Sequence, residues 1–255
     1  MQSHKVNIYN KIVADRTANK KNFVVLLDPD KCSGSNLDQV IKLCKDAHVD
    51  YLFIGGSLLM HSDLDNYLLR IKDQTDIPLI LFPGNTHQVS AQADALLYLS
   101  MISGRNPDLL IGKHVESAIA VRESALEVIS TGYMLVDGGK LTSVQYISNT
   151  QPIPHDKNSI ATSTAIAGEM LGLKLIYLEA GSGATRSVSN SMITSVSSYI
   201  NIPLIAGGGI RTPESATEAI ESGADIIVVG NAIEKDPELI MDMSAAIHSA
   251  QSKVL

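Results

Sequence analysis

Three short segments in the second half of the chain place glycines directly after runs of apolar residues. They are YLEAGSG at 177–183, AGGGIR at 206–211 and VVGN at 228–231. Glycines at such positions expose main-chain N–H groups, and the positive end of a following helix dipole favours an anion there. The pattern predicts a site for a phosphomonoester held by main-chain donors, with Arg186 and Arg211 close by in the sequence. Plain turn chemistry is the alternative, because glycine also marks any tight turn.

Two aspartates and a serine form a second group of candidate residues. Asp28 and Asp30 end the first apolar run of the chain, and Ser57 follows the second. A carboxylate beside a hydroxyl is a partial ligand set for Mg²⁺, which completes its shell with water and substrate phosphate. The alternative is a capped Asp-Pro-Asp turn with Ser57 as a helix N-cap. Lys31 sits beside the aspartates, where it could neutralise them or contact a diphosphate.

Glu179 and Tyr177 are the candidates for proton transfer. Glu179 ends an apolar run next to the glycines, where a carboxylate can accept a proton from a substrate hydroxyl. Tyr177 precedes it by two residues, so in a strand both side chains point to the same side. A structural carboxylate paired with a lysine inside the fold is the alternative.

The elements that must position these residues are eight apolar runs. The runs are apolar continuously rather than alternately, which is typical of parallel strands covered by helices. They are Phe23–Asp28, Tyr51–Gly56, Pro78–Gly84, Ala95–Ser100, Tyr133–Gly139, Leu173–Gly181, Pro203–Gly209 and Asp225–Asn231. Eight strands with helical crossovers predict an α/β fold, a single-domain (β/α)8 TIM barrel over residues 1–255. An open doubly wound sheet is disfavoured, because no G-x-G-x-x-G follows the first run.

Helical patterns fit between most of the apolar runs. The predicted helices are Asn36–His48, Leu64–Ile71, Val115–Ile129, Ser159–Leu171, Val188–Tyr199, Pro213–Ser222 and Pro237–Ser249. The last apolar residues of the third and fourth runs lie only about 17 residues apart, which is too close for a full helix and two loops in addition to the strand. The barrel is therefore expected to be modified around its third helix.

Charge and composition narrow the class of partner. The 255 residues include 20 basic and 27 acidic side chains, a formal net charge of −7, which argues against nucleic acid. Lys20 and Lys21 form the densest basic stretch and are interpreted as a solvated helix face. Cys32 and Cys44 lack CxxC spacing, and the sequence shows neither a signal-like segment nor a membrane-length apolar run. We therefore expect a soluble, cytoplasmic protein.

Together these segments resemble one enzyme family. LLDPDK (26–31), FIGGS (53–57) and the three glycine segments are similar to those of geranylgeranylglyceryl phosphate synthases, which form one family with the bacterial heptaprenylglyceryl phosphate synthases. The resemblance implies Mg²⁺-dependent transfer of a prenyl group from a polyprenyl diphosphate to the 3-hydroxyl of sn-glycerol 1-phosphate. Some members carry lysine where this chain has Leu26, and its absence points to geranylgeranyl diphosphate as the donor.

Carried over residue by residue, the resemblance makes Asp28 and Ser57 the metal ligands. It makes Glu179 the group that orients or deprotonates the attacking hydroxyl, with Tyr177 beside it. The residues that would hold glycerol 1-phosphate are Tyr177, Leu178, Glu179, Ala180, Gly181, Ser182, Gly183, Gly208, Gly209, Gly230 and Asn231. If a basic residue is essential at position 26, Lys31 must substitute for it. The resemblance also implies a homo-oligomer, and a lipid product implies transient contact with a membrane.

The prenyl chain would need an apolar trough near the middle strands. Candidates for its lining are Tyr98, Leu99, Met101, Tyr133 and Leu135, and core packing explains these residues equally well. One alternative function is a phosphosugar isomerase or lyase of the histidine or tryptophan biosynthesis type, which shares the phosphate loops and needs no trough. Another is a non-catalytic phosphate or lipid carrier, which would bind its ligand and form no product.

Overall fold

The chain folds into a closed barrel of parallel strands, seen in a computed structural model that describes residues 7–56, 59 and 63–250. The strands are β1 (Asn22–Leu27), β2 (Tyr51–Ile54), β3 (Leu79–Leu81), β4 (Ala95–Met101), β5 (Glu127–Leu135), β6 (Leu175–Glu179), β7 (Leu204–Gly207) and β8 (Ile226–Val229). Each strand pairs with its neighbours in chain order, and β8 pairs with β1 to close the barrel. The predicted α/β fold, a (β/α)8 TIM barrel, is confirmed.

Continuous apolar runs form these strands because both faces of each strand are buried. Val24 of β1 points into the barrel interior, and Val25 points to the layer between barrel and helices. Both side chains are fully buried. Successive residues of a strand face opposite sides, so a barrel covered by helices requires apolar residues at every position.

Helices cover the barrel and connect most strands. In the described residues these are α1 (Ile8–Thr17), α2 (Gly34–Asp46), α3 (Leu64–Lys72), α4 (Lys113–Glu123), α5 (Ser143–Ser148), α6 (Asn158–Met170), α7 (Asn190–Ser197), α8 (Pro213–Glu221), α9 (Asn231–Lys235) and α10 (Leu239–Ser249). A π-helical turn, Asp108–Gly112, precedes α4. None of the helices in these ranges is long and apolar enough to cross a membrane.

The sequence predicts the start of one helix, α8, correctly and the end of another, α4, incorrectly. Thr212 caps α8 reciprocally with Ser215, and Pro213 occupies the first turn, where the predicted helix Pro213–Ser222 begins. The predicted helix Val115–Ile129 is wrong in its second half. Helix α4 ends at Glu123, and a left-handed residue, Ala125, with φ 55° turns the chain into β5.

No helix forms between β3 and β4. Residues 82–94, all of them described, run through turns and connect the two strands directly. Gln88 supports this connection, because its side chain accepts a hydrogen bond from the Gly84 N–H at 2.9 Å and donates one to the Gly56 carbonyl at 3.2 Å. The expected modification of the third helix is confirmed, since no helix connects β3 to β4.

Helix α1 closes the amino-terminal end of the barrel. Its Ile8 and Ile12 are buried in the barrel interior, and the Glu127 carboxylate accepts the N–H groups of Ile8 and Tyr9 at 2.7 and 2.9 Å. The interpretation of Lys21 as part of a solvated face is wrong. Lys21 is buried and its ammonium lies 3.3 Å from Asp225, because it directly precedes β1 at the closed end of the barrel.

The two cysteines take no part in a disulfide. Cys32 and Cys44 are free and buried. Burial raises the pKa of the Cys32 thiol to about 11 and raises the pKa of Cys44 as well. Since a thiolate is the reactive form, both are structural thiols at neutral pH.

Candidate active site

A cavity of about 670 Å³ lies at the carboxyl ends of the strands. Asp28 enters it after β1, Glu179 at the end of β6, Gly208 after β7 and Asn231 after β8. Active sites of TIM-barrel enzymes lie at this face. The segments that the sequence singled out for phosphate, metal and proton transfer therefore meet in one place.

The glycine loops after β6 and β7 pack main chain against main chain. Gly208 and Gly209 have φ values of 72° and 75°, which side chains rarely tolerate. A Cβ atom added at Gly208 would overlap the Glu179 carboxylate and lie 2.7 Å from the Gly181 nitrogen. One added at Gly209 would lie 2.7 Å from the Arg186 carbonyl oxygen. Only glycine permits this approach, which brings several main-chain N–H groups to one edge of the cavity. We call the loop segments 180–183 and 207–209 the glycine cradle.

Asn231 ties the cradle to the end of β8. Its Oδ1 accepts hydrogen bonds from the Ser182 hydroxyl at 2.8 Å and from the Gly183 N–H at 3.0 Å. Its amide nitrogen donates to Glu234 at 3.3 Å. The role of Asn231 as a substrate contact stays a prediction; the structure shows that its side chain holds the cradle in shape.

Glu179 is a buried carboxylate without a cationic partner among the described residues. Its Oε1 accepts the Gly181 N–H at 2.6 Å. Burial raises the pKa of Glu179 to about 7, while the Gly181 hydrogen bond and the nearby Tyr177 phenol oppose that rise. Among the described residues no lysine pairs with Glu179, so the alternative of a structural carboxylate paired with a lysine is not found. A carboxyl group with this pKa is suited to accept a proton near neutral pH.

Tyr177 stands beside Glu179 as expected from their spacing in β6. A Cβ atom added at Gly207 would lie 2.6 Å from the Tyr177 hydroxyl and 3.1 Å from Glu179 Oε2, so both groups face one point. The hydroxyl is buried and makes no hydrogen bond of ordinary geometry with a described residue. It remains available to a substrate in the cavity, which both residues line.

Asp28 lies across the cavity in an ion-paired turn. The Lys31 ammonium is 2.8 Å from Asp28 Oδ2 and 3.7 Å from Glu234 Oε1. Asp28 Oδ1 also accepts the Asp30 N–H at 3.2 Å, so the predicted capped turn is present together with a carboxylate that lines the cavity. Asp30 is exposed. Burial, and secondarily the Asp28 charge, raise the pKa of Glu234 against the lowering effect of Lys31.

The donor set around Asp28 fits a Mg²⁺ ion that is held jointly with a substrate. Asp28 and Glu234 supply carboxylate oxygens, which Mg²⁺ prefers. Among the described residues no group of three or more acidic, histidine or cysteine side chains could hold a metal by itself. The missing ligands would be water and phosphate oxygens. Ser57, the other predicted ligand, lies outside the described residues.

A smaller, mainly apolar cavity of about 160 Å³ adjoins the first. Of the five residues predicted for a trough, four line it: Tyr98, Leu99, Met101 and Tyr133. Leu135 does not, because it is packed inside the barrel. Phe82 and Tyr133 line both cavities, and their rings lie 6.0 Å apart.

Comparison with known proteins assigns this arrangement to a family. The sequence pattern of the PcrB family matches residues 15–249, which is most of the chain. The chain belongs to the PcrB family. It is 54% identical over 243 residues to geranylgeranylglyceryl phosphate synthase of Chitinophaga pinensis, covering 95% of this chain and 96% of the relative. It is 40% identical over 230 residues to the enzyme of that name from Pyrococcus horikoshii, covering 90% of each.

Solved structures agree with this membership of the PcrB family. The crystal structure of (S)-3-O-geranylgeranylglyceryl phosphate synthase from Thermoplasma acidophilum, in complex with sn-glycerol-1-phosphate, matches with a TM-score of 0.91. The identity is 30%, and the match covers 96% of this chain and 100% of that one. The tryptophan synthase α chain of Legionella pneumophila has a TM-score of 0.57 at 16% identity, over 95% of this chain and 97% of that one, which shows the fold alone.

Most of the predicted binding residues line the larger cavity, together with charged residues that the sequence did not suggest; that they bind substrate stays a prediction. Tyr177, Glu179, Ser182, Gly183, Gly208, Gly209, Gly230 and Asn231 line the cavity. Strand alternation turns Leu178 away from it, and Ala180 is likewise packed against the helices. The added charged residues are Lys140, Glu234, Lys235 and Asp236. Glu234 follows Asn231 by one helical turn, a spacing that could have found it, whereas Lys140 comes from the distant loop after β5.

Proposed function

We propose that this PcrB-family chain transfers a geranylgeranyl group from geranylgeranyl diphosphate to the 3-hydroxyl of sn-glycerol 1-phosphate, releasing pyrophosphate. One observation carries the proposal: the buried Glu179, which has no cationic partner among the described residues, lines a cavity that contains the glycine cradle and adjoins an apolar cavity. A soluble phosphosugar would have no use for the apolar cavity. The similarity to geranylgeranylglyceryl phosphate synthases across most of the chain supports the same reaction.

The acceptor would bind at the cradle. Main-chain N–H groups there suit a phosphomonoester, which places the glycerol hydroxyls toward Glu179. The hydroxyl oxygen attacks C1 of the allylic diphosphate, the C1–O bond to the diphosphate breaks, and Glu179 accepts the hydroxyl proton. Tyr177 would orient the hydroxyl through its free phenol.

The donor would span the two cavities. Its hydrocarbon chain would occupy the apolar cavity, and its diphosphate would lie near Asp28 and Lys31. The allylic carbon would then sit by Phe82, Tyr133 and Tyr177, whose ring centroids are 5.5 to 6.0 Å apart. Aromatic faces stabilise positive charge, which develops on that carbon as the diphosphate leaves.

Magnesium is the cofactor that we propose for this site. Asp28 would hold it, with Glu234 close to Asp28 across Lys31, and Ser57 is the second ligand that the family resemblance implies. When bound, Mg²⁺ supplies positive charge that stabilises the departing pyrophosphate.

We further infer that the protein is a cytoplasmic homo-oligomer that touches a membrane transiently when it releases its lipid product. Exposed apolar side chains support an interface between copies: Val115 is 70% exposed, Ile119 73% and Tyr146 76%. Such side chains on a monomer surface favour association.

The test is product formation from labelled sn-glycerol 1-phosphate and geranylgeranyl diphosphate, with Mg²⁺ and with a chelator. Farnesyl diphosphate and sn-glycerol 3-phosphate serve as parallel substrates, and Glu179→Gln as the inactive control. We expect a prenyl ether that requires the metal and the 1-phosphate. Absence of product with every prenyl donor, in folded protein that still binds glycerol phosphate, would contradict the proposal.

A further inference from the structure

Lys140 is brought to the glycine cradle by a loop that is anchored against it. Gly138 carbonyl oxygen accepts the N–H groups of Thr185 and Arg186 at 2.9 and 3.2 Å, so the loop after β5 is fixed to the segment that follows the cradle. Gly139, with φ 86°, then turns the chain toward the cavity. The Lys140 ammonium lies 3.6 Å from the position that a Cβ atom would take at Gly183.

Two arginines that follow the cradle loops in the chain are already engaged. Arg186 binds Asp137 at 2.7 Å, and the Arg211 guanidinium donates to the Ala184 carbonyl. On the far side, Lys31 binds Asp28 and Glu234. Lys140 makes no ion pair or side-chain hydrogen bond with any residue that the structure describes, although it lines the cavity. Its charge is therefore available to a ligand.

The cradle itself needs such a charge. Four of its donors already serve protein acceptors. The Gly181 N–H binds Glu179, the Gly183 N–H and Ser182 hydroxyl bind Asn231, and the Ala180 N–H binds the Gly207 carbonyl. A phosphomonoester brings roughly −1.5 to −2 charges at pH 7. That charge would lie near the Glu179 carboxylate, so main-chain dipoles alone leave part of the anion uncompensated. A lysine ammonium is a compact point charge that binds phosphate without fixed geometry.

We propose that Lys140 is a phosphate-binding residue of the acceptor site. Its ammonium binds the phosphate of the glycerol phosphate at the Gly183 side of the cradle and so positions the acceptor relative to Glu179. This inference rests on the proposed function for the identity of the acceptor. Its recognition chemistry, a phosphomonoester bound by a cradle and a lysine, can be measured without the prenyl donor.

The experiment compares Lys140→Met with wild-type protein by isothermal titration of sn-glycerol 1-phosphate and of inorganic phosphate. We expect Lys140→Met to weaken glycerol phosphate binding about 10- to 100-fold, the range of a lost charge-assisted contact. Lys140→Arg should recover most of the affinity, because it restores the charge. Lys157→Met is the matched control, since this exposed lysine lies outside the cavity and its one ion pair among the described residues is with Asp156, at 3.3 Å.

Steady-state kinetics distinguish an effect on acceptor binding from an effect on donor binding. Lys140→Met should raise the KM for glycerol phosphate and leave the KM for geranylgeranyl diphosphate within about twofold. Any one of three results would overturn the inference. Folded Lys140→Met could bind glycerol phosphate as tightly as wild type, or wild-type protein could bind neither phosphate ligand. The third result is a rise in KM that is confined to the diphosphate donor. If wild-type protein binds glycerol phosphate through Lys140 yet forms no prenyl ether, the proposed function fails and the inference stands.

Discussion

Glu179 and Asn231 hold the same glycine loop from its two ends. The Glu179 carboxylate accepts the Gly181 N–H at 2.6 Å, and the Asn231 amide oxygen accepts the Gly183 N–H at 3.0 Å. The two residues lie on β6 and at the start of α9, so the loop bridges elements that are distant in sequence. The group that we propose as the base thus also shapes the phosphate site, and acceptor binding is coupled to the position of the base.

Replacing Asn231 should loosen this loop. In Asn231→Ala the Ser182 hydroxyl and Gly183 N–H lose their common acceptor, which we expect to cost about 1–2 kcal/mol of stability. The KM for glycerol phosphate should rise roughly tenfold. Urea unfolding and steady-state kinetics measure the two effects. Asn190→Ala is the control, because exposed Asn190 makes a surface hydrogen bond to Glu218 at 3.1 Å. An unchanged KM in Asn231→Ala would show that the loop keeps its shape without this side chain.

Acidity should affect stability and activity in opposite directions through Glu179. Burial raises its pKa from 4.5 to about 7, so between these pH values the folded protein binds more protons at this site than the unfolded chain does. The contribution of Glu179 to the free energy of unfolding should therefore fall by about 3 kcal/mol as the pH rises through this interval. The kcat of the proposed reaction should rise over the same interval, because the base must be deprotonated.

Glu179→Gln provides the comparison for both readouts. The difference in unfolding free energy between wild type and variant, measured by urea titration from pH 4.5 to 8, should follow the titration of Glu179. The variant should also lose about 10²- to 10⁴-fold in kcat with little change in glycerol phosphate affinity. If the difference in unfolding free energy between wild type and variant stayed constant with pH, the pKa of Glu179 would not be raised by folding.

Gly208 should not accept a side chain. In Gly208→Ala the new Cβ would overlap the Glu179 carboxylate in addition to adopting a strained φ of 72°. Gly172→Ala is a matched control, because Gly172 has φ 84° and no atom within 4 Å of an added Cβ. We expect the control to cost about 1 kcal/mol from backbone strain, and Gly208→Ala to cost about 1–3 kcal/mol more. Equal losses in urea unfolding would show that the cradle relaxes around the methyl group.

Asp28 should be required for metal-dependent turnover and not for folding. Asp28→Asn keeps the side-chain volume and removes the charge that pairs with Lys31. We expect almost no prenyl ether, an unchanged affinity for glycerol phosphate, and loss of Mg²⁺ binding in titrations that contain pyrophosphate. Asp38→Asn on the exposed face of α2 is the control. Full activity of Asp28→Asn would exclude this residue as a metal ligand.

The barrel was predictable because its strands are continuous apolar runs. The exception is β5, where Ser130, Thr131 and Gly132 interrupt the apolar pattern. The strand begins at Glu127, six residues before the predicted run, because its residues pair with β4 from Ala95 onward. Thr131 is buried in this segment, with its hydroxyl bonded to the Ile129 carbonyl at 3.0 Å. Short α5 carried no periodic signal strong enough to be predicted.

The site was predictable where its residues lie at strand ends and unpredictable where a loop brings in a distant side chain. Glu179, Gly208 and Asn231 each follow an apolar run, so their meeting follows from the barrel itself. Lys140 reaches the cradle because glycines let the loop after β5 pack closely, which no spacing in the sequence reveals. The burial of Lys21 was unpredictable for a different reason, because a basic stretch does not reveal the long-range ion pair with Asp225 at the closed end of the barrel.

Because turns and not a helix connect β3 and β4, the residues that shape the apolar cavity there do not also have to pack a helix against the barrel. Pro83, Gly84 and Asn85 line the apolar cavity and belong to no helix or strand. Substitutions there alter the shape offered to a hydrocarbon tail without removing packing between a helix and the barrel. The lipid tail that is accepted can therefore diverge in evolution independently of the stability of the fold, whereas the phosphate end, built from glycines pressed against one another, leaves little freedom to vary.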